Sequence, residues 1–165
     1  MSLFNIIIDW LHLLGAATWV GGLIFIVTVF YPVVNQLDPK ERAKAIQLMA
    51  NRFRILVTIA VILLVTTGPM NLPSGYTWST IHNSKTYFTW LMIKLTFVVI
   101  MLVLGFSVPF YLSPKANRLA PQPGEKPSPE FLKTSKQILL VTHMVTGLGI
   151  LILFFAAVLL NGANF

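Results

Sequence analysis

Three ionisable residues interrupt apolar stretches of the chain and carry side chains that could do chemistry. Asp9 and His12 lie three positions apart in IIIDWLHLLGAATWV, and Lys94 lies in WLMIKLTFVV. An imidazole nitrogen can bind a metal ion or a haem iron, and residues three apart share one face of a helix. We therefore expect His12 to be a ligand that Asp9 helps to orient. The alternatives are that Asp9 only lies at a membrane surface and that His12 makes only a structural hydrogen bond.

Lys94 allows two interpretations. It either pairs with Asp9 or lines the same site as His12, or it extends its ammonium group along its four-carbon stem to the membrane surface.

Four further side chains are candidate ligands for a metal ion or haem. His143 lies between Thr142 and Thr146 and could bind a metal or make a structural hydrogen bond, and the other three are His82, Met70 and Met92. Thioether and imidazole groups suit copper. The chain has no cysteine, which excludes disulfides and thiolate metal sites.

The composition shows what surrounds these residues. Of 165 residues 56% are hydrophobic and only 10% are charged, and the mean hydropathy is +0.77. Soluble domains carry about a quarter charged residues, and about 20 apolar residues span a bilayer. We predict an all-α integral membrane four-helix bundle, a single domain over residues 1–165. Its predicted spans cover about residues 3–31, 53–70, 87–112 and 134–160.

Two of the helices are predicted to begin before their apolar stretches. Asp38 can cap the second helix, with Pro39 at its first position and Glu41 three residues after the cap. Ser128 followed by Pro129 predicts the start of the fourth helix in the same way.

Small residues predict where helices approach each other closely. Gly15, Thr18 and Gly22 recur near helical spacing on the first span, and Gly147 lies one turn after His143 on the fourth. Small side chains let membrane helices pack backbone to backbone. We therefore predict that His12 and His143 both point into the bundle.

The positive charges predict the orientation of the chain. Ten of the twelve Lys and Arg residues lie in or beside the first and third loops, and cytoplasmic loops are the basic ones. Both termini are therefore expected on the outer, periplasmic side of a bacterial plasma (inner) membrane that the chain crosses several times. This topology and anionic lipid headgroups account for the net charge of +7 without a nucleic acid.

This topology sets the depth of each polar residue. His12, Asp9 and Lys94 are expected in the outer half of the membrane and His143 in the inner half. At 1.5 Å per residue, the two histidines differ in depth by about 15 Å. One haem iron held by both is therefore not expected.

Several segments resemble the membrane domain of copper resistance protein D, the CopD family. They are DWLHLLGAATWVGGLIF in the first span, RFRILVTIAVILLVTTG in the second and LMIKLTFVVIMLVLG in the third. The resemblance implies that the protein moves or handles copper at the bacterial plasma membrane, with His12 as a site residue. Besides the lipid bilayer, the expected partners are a periplasmic copper carrier and a second copy of the chain in a homo-oligomer.

A second resemblance is to HemJ-type protoporphyrinogen oxidase, a small haem-associated membrane enzyme. His12 and Lys94 match its first-helix histidine and third-helix lysine, whereas IFIVTVFYPVV stands where that family carries an arginine and then a histidine. This resemblance implies haem b instead of copper, and a membrane oxidoreductase. An accessory subunit of a larger complex is the remaining alternative, because the sequence predicts no domain outside the spans. No phosphate loop or nucleophile with a base is visible, which disfavours hydrolase and kinase functions.

Overall fold

The computed structural model describes residues 2–71, 77–122 and 125–161, and this part of the chain contains helices and no strand. This confirms the all-α prediction. The α-helices are α1 (Leu3–Phe25), α2 (Tyr31–Val34), α3 (Pro39–Thr67), α4 (Trp78–Asn83), α5 (Lys85–Ser107), α6 (Ser113–Arg118) and α7 (Pro129–Leu160).

Four continuous helical stretches are long and apolar enough to cross a membrane, as predicted. They are Leu3–Val34, Lys44–Met70, Lys85–Arg118 and Pro129–Leu160, and each predicted span lies inside one of them. We call them the first to fourth spans. Large apolar side chains stay exposed along all four, for example at Leu13, Val65, Val103 and Leu140. An apolar surface of this extent is suited to lipid and not to water.

The first and third spans each contain a π-helical turn, at Ile26–Phe30 and Val108–Leu112. A proline adjoins the first turn at Pro32 and lies within the second at Pro109. A proline ring clashes with the carbonyl four residues earlier, and a wider turn relieves that clash without ending the helix. Each π turn therefore lets a span continue through a proline.

The starts of α3 and α7 are where the prolines predicted them. Ser128 caps α7 by accepting a hydrogen bond from the backbone N–H of Phe131 at 3.1 Å. The predicted cap by Asp38 is wrong in its chemistry, because the Asp38 side chain accepts no capping hydrogen bond at the start of α3. Pro39 alone, with its fixed φ, marks the beginning of that helix.

The core joins all four spans. Trp19, Val20 and Leu23 of α1 pack in one buried cluster with Ala60 of α3, Met101 of α5 and Val145 of α7. Helix α1 packs mainly on α3, and α5 packs mainly on α7. Contacts between α1 and α7 join the α1–α3 pair to the α5–α7 pair. Helix α3 also contacts the π turn of the third span.

Glycines allow the closest approach between α1 and α3, as predicted. A Cβ at Gly15 would lie 3.2 Å from the Ala60 carbonyl oxygen, and one at Gly22 would lie 2.5 Å from the Phe53 ring. Thr18, between them, is half-buried.

The packing role predicted for Gly147 is wrong. Gly147 is exposed, and a Cβ there would meet nothing within 4 Å. The close contact on α7 is at Gly149, where a Cβ would lie 3.2 Å from both Met101 and Val20. Two residues on a helix differ in direction by about 200°, so Gly147 faces away from the bundle.

Candidate functional site

His12 is held by a hydroxyl group at the last residue of α3. Its Nδ1 lies 2.8 Å from Oγ1 of Thr67. The same hydroxyl donates its hydrogen to the backbone carbonyl of Leu63, at 2.6 Å. His12 is half-buried and Thr67 is buried, at 4% exposure. A ring in the first span is thereby fixed to the end of the second.

This chain of hydrogen bonds fixes the tautomer of a neutral His12. The Leu63 carbonyl can only accept, so the single Thr67 hydroxyl hydrogen is used there. Nδ1 of His12 must then donate its hydrogen to Thr67 Oγ1. A neutral ring with its hydrogen on Nδ1 carries a free lone pair on Nε2. His12 therefore carries no hydrogen on Nε2 and is oriented by a hydrogen bond at the other ring nitrogen, which is the state in which a histidine can bind a metal ion.

Two charges and a glycine surround the His12 ring. A Cβ at Gly68 would lie 3.5 Å from His12 Cε1, so the ring packs beside the turn that follows α3. Asp9 and Lys94, both half-buried, lie within electrostatic range of the ring. In the described ranges the one ion pair within 4.0 Å joins Lys115 to Glu130. Of the alternatives for Lys94, a direct ion pair with Asp9 is therefore not present in the structure, and the two charges lie separately near His12.

The other three candidate ligands on the same side of the fold are exposed. Met70 is 61% exposed and Met92 38%, and the His82 ring packs edge-on against Phe88 with 5.7 Å between ring centroids. Met70 ends the turn Gly68–Met70, which contacts α1. No group of three or more His, Asp or Glu residues in the described part of the chain could hold a metal ion.

His143 does not point into the bundle, contrary to the prediction. The residue is exposed, and its Nδ1 lies 2.8 Å from the carbonyl oxygen of Leu139 one turn earlier in α7. A carbonyl only accepts, so Nδ1 is the donor here too. The side chains of Thr142 and Val145 face the bundle instead.

His12 and His143 lie far apart along the bundle. Val20 of α1 packs at Gly149 of α7, and the two helices run in opposite directions. His12 lies eight residues from this contact toward one end, and His143 lies six residues from it toward the other. At 1.5 Å per residue the separation is about 20 Å. One haem iron therefore cannot be held by both histidines.

A cavity of about 250 Å³ lies at the other end of the bundle from His12. Both π turns line it, and so does one face of α3 that includes Gln47, Asn51, Arg54 and Thr58. None of the three histidines lines it. The cavity is therefore separate from the His12 site.

Sequence reasoning missed two features of these sites. Thr67 was not identified as the partner of His12, although both lie near the same end of the bundle. The polar face of α3 was also missed, although its residues recur at helical spacing. The partner of His12 can be recognised only once the helices are paired, which a single sequence does not provide, whereas the spacing on α3 is visible in the sequence.

Comparison with known families places the chain. The family model described as copper resistance protein D matches residues 47–159, which is more than half of the chain and covers the second, third and fourth spans. The first span, with His12, precedes the matched residues. No curated protein and no solved structure matches the chain. The family match and the four apolar helices lead to the same conclusion: the chain is a multi-pass membrane protein that belongs to the copper resistance protein D (CopD) family.

Proposed function

We propose that the protein handles copper at a bacterial plasma membrane by binding it at Nε2 of His12. The observation that carries this proposal is the hydrogen-bond chain from His12 Nδ1 through Thr67 to the Leu63 carbonyl. An imidazole that is oriented at one nitrogen and free at the other is the usual state of a metal-binding histidine. Ionisable residues inside a span are costly and by default mark function.

Met70 is the best-placed second ligand for this copper. The turn Gly68–Met70 contacts α1, and Gly68 packs against the His12 ring. A thioether paired with an imidazole suits Cu(I), since soft ligands select the reduced ion. Met92 and His82 are the further candidates, each needing a change of side-chain position to reach the same ion.

The two charged residues beside His12 act in opposite directions on a bound cation. Asp9 attracts copper and Lys94 repels it. A site of moderate affinity suits a protein that passes copper on more than one that stores it. We expect such a site to exchange its copper with a periplasmic copper carrier. The exposed faces of the spans are compatible with a homo-oligomer.

A haem-associated role is the second candidate, because the same free Nε2 could bind a haem iron. His12 would hold the iron of haem b, and Lys94 would supply a positive charge for a haem propionate. The other axial ligand would have to come from a residue other than His143, which lies about 20 Å away along the bundle.

Copper and haem content of the purified protein tests the proposal. We expect the parent protein to bind about one Cu(I) per chain and to show no haem absorption, and His12→Ala to lose the copper. His143→Ala, which changes an exposed histidine on another helix, is the matched control and should keep it. Copper binding that is unchanged in His12→Ala would contradict the proposal, and a haem spectrum lost in that variant would favour the haem-associated role.

A further inference from the structure

The cavity at the end of the bundle opposite His12 has an unusual construction. The π turns Ile26–Phe30 and Val108–Leu112 both line it. Helix α3 comes close to the third span at the second of these turns and has few close backbone contacts with α5, so a gap lies beside α3 at this end of the bundle. π turns occur often at functional sites, and here two of them face one cavity.

Polar side chains line this cavity near the basic loops, alongside apolar ones such as Met49. Gln47, Asn51 and Arg54 lie on the part of α3 near the basic loops, and Asn117 of α6 is on the opposite wall. Arg54 is the one charged residue among the described side chains that line the cavity, and it is exposed at the mouth.

The inner part of the same cavity is apolar. Trp19, Val57, Gly105 and Val145 line it beside the buried core. A Cβ at Gly105 would meet Trp19 at 3.7 Å and Val145 at 3.8 Å, so the missing side chain leaves room at this level. The cavity therefore suits a molecule with an anionic polar end and a hydrocarbon end.

We propose that this cavity binds one anionic phospholipid from the leaflet beside the basic loops. Its phosphate contacts Arg54 with Asn51 and Gln47 beside it, and one acyl chain runs inward toward Trp19 and Gly105. A volume of about 250 Å³ is below that of a site for a whole drug-sized ligand. The cavity holds the headgroup and the first part of one acyl chain. The rest of the lipid extends through the gap beside α3 and remains in the bilayer.

The charge near the cavity supports an anionic lipid as the occupant. Basic residues cluster in the loops at this end, and Arg forms directional hydrogen bonds with phosphate through its planar guanidinium group. Arg54 lines the cavity and is exposed, whereas its neighbour Arg52 does not line the cavity. This difference distinguishes a built site from general attraction to a negative surface.

Native mass spectrometry of the purified full chain tests this. After delipidation and titration with phosphatidylglycerol or phosphatidylcholine of equal chain length, we expect one phosphatidylglycerol to bind at least about fivefold more tightly. Arg54→Gln should remove that preference, and Arg52→Gln, which removes the same charge two residues away, should keep it. The proposal would be overturned if the two lipids bound equally, if both variants lost the preference for phosphatidylglycerol equally, or if a dimer excluded lipid. Free glycerol phosphate that competes as well as the lipid would also overturn it.

Quenching of tryptophan fluorescence tests the position of the acyl chain. Phosphatidylglycerol brominated on its acyl chains should quench the fluorescence of Trp19. The fraction of the total tryptophan fluorescence that is quenched should therefore fall more in Trp19→Phe than in Trp10→Phe. Trp10 lies in the same helix and is exposed near its start. Quenching that is equally affected by the two substitutions would mean that the chain does not enter the cavity.

Discussion

His12 combines two properties that an apolar helix rarely allows in one residue. It carries a polar ring in a span, and among the described residues the ring has a hydrogen-bond partner at only one of its two nitrogens. The half-buried ring leaves Nε2 accessible, and the copper-binding role that we propose for His12 rests on this nitrogen.

Thr67 is expected to control how well His12 binds copper. Thr67→Val removes the hydroxyl that accepts from Nδ1 and leaves the ring free to rotate and to change tautomer. Loss of such an orienting partner typically weakens metal affinity about 10- to 100-fold, which a Cu(I) competition titration would measure. Thr66→Val is the matched control, because the Thr66 hydroxyl is exposed and bonds only to carbonyls of its own helix. Equal affinities in the two variants would mean that Thr67 does not orient the ligand.

The charges near His12 should shift copper affinity in opposite directions. Asp9→Asn removes an attractive charge and should weaken Cu(I) binding, whereas Lys94→Met removes a repulsive charge and should strengthen it. We expect roughly fivefold in each direction, which corresponds to about 1 kcal/mol. Lys85→Met, at the exposed start of α5, is the control for Lys94. A change of the same sign in both site variants would show that packing, and not charge, is responsible.

At the scale of the helices, the position of His12 depends on how closely α1 lies on α3. Gly15 is one turn from His12 and touches the backbone of α3 at Ala60. Gly22 continues the same contact at Phe53. These two glycines bring Thr67 within hydrogen-bonding distance of the ring, so the packing of two helices determines the geometry of the site.

Adjacent glycines in α1 offer a direct test of that packing. Gly22→Leu should displace the Phe53 ring and destabilise the fold by about 1 to 3 kcal/mol, which lowers the thermal midpoint by roughly 3 to 10 °C in a chain of this size. Gly21→Leu adds the same side chain where nothing lies within 4 Å. We expect its midpoint to be unchanged or slightly raised by the better helix propensity of leucine. A larger loss in Gly21→Leu than in Gly22→Leu would contradict the packing described here.

The elements differed in how far the sequence could predict them. The prolines at 39 and 129 predicted two helix starts because a fixed φ and a missing N–H have a local effect. The π turns at Pro32 and Pro109 could not be predicted, since a proline in a span can also kink or end it. The packing role of Gly147 was predicted wrongly because the buried face of the helix was inferred from His143. The structure places both residues on the exposed face.

At the scale of the whole molecule, four antiparallel spans put the start of α1 and the end of α7 on the same side of the bilayer. The basic first and third loops predict that this side is the outer one. A reporter that is active only in the periplasm should be active when fused after Phe165, and inactive when fused after Glu125 in the third loop. The reverse pattern would place His12 in the cytoplasmic half and the phospholipid cavity in the outer leaflet.

The sequence could predict part of the candidate site. His12, Asp9 and Lys94 stood out because ionisable groups are rare in apolar spans, and the structure brings them near one another. The partner of His12 could not be predicted, because Thr67 becomes relevant only once α1 is packed on α3. The exposure of His143 could not be predicted either, since a single polar residue does not define which face of an apolar helix is buried.

X-ray absorption of the copper-loaded protein tests the central claim most directly. We predict that the Cu(I) spectrum of the parent protein contains an imidazole nitrogen at about 2 Å, a typical bond length for a metal-bound imidazole. That signal should be absent in His12→Ala and unchanged in His143→Ala, with both variants keeping the helical content and thermal midpoint of the parent. An imidazole signal of full strength in a folded His12→Ala protein would contradict the assignment of His12 as the copper ligand.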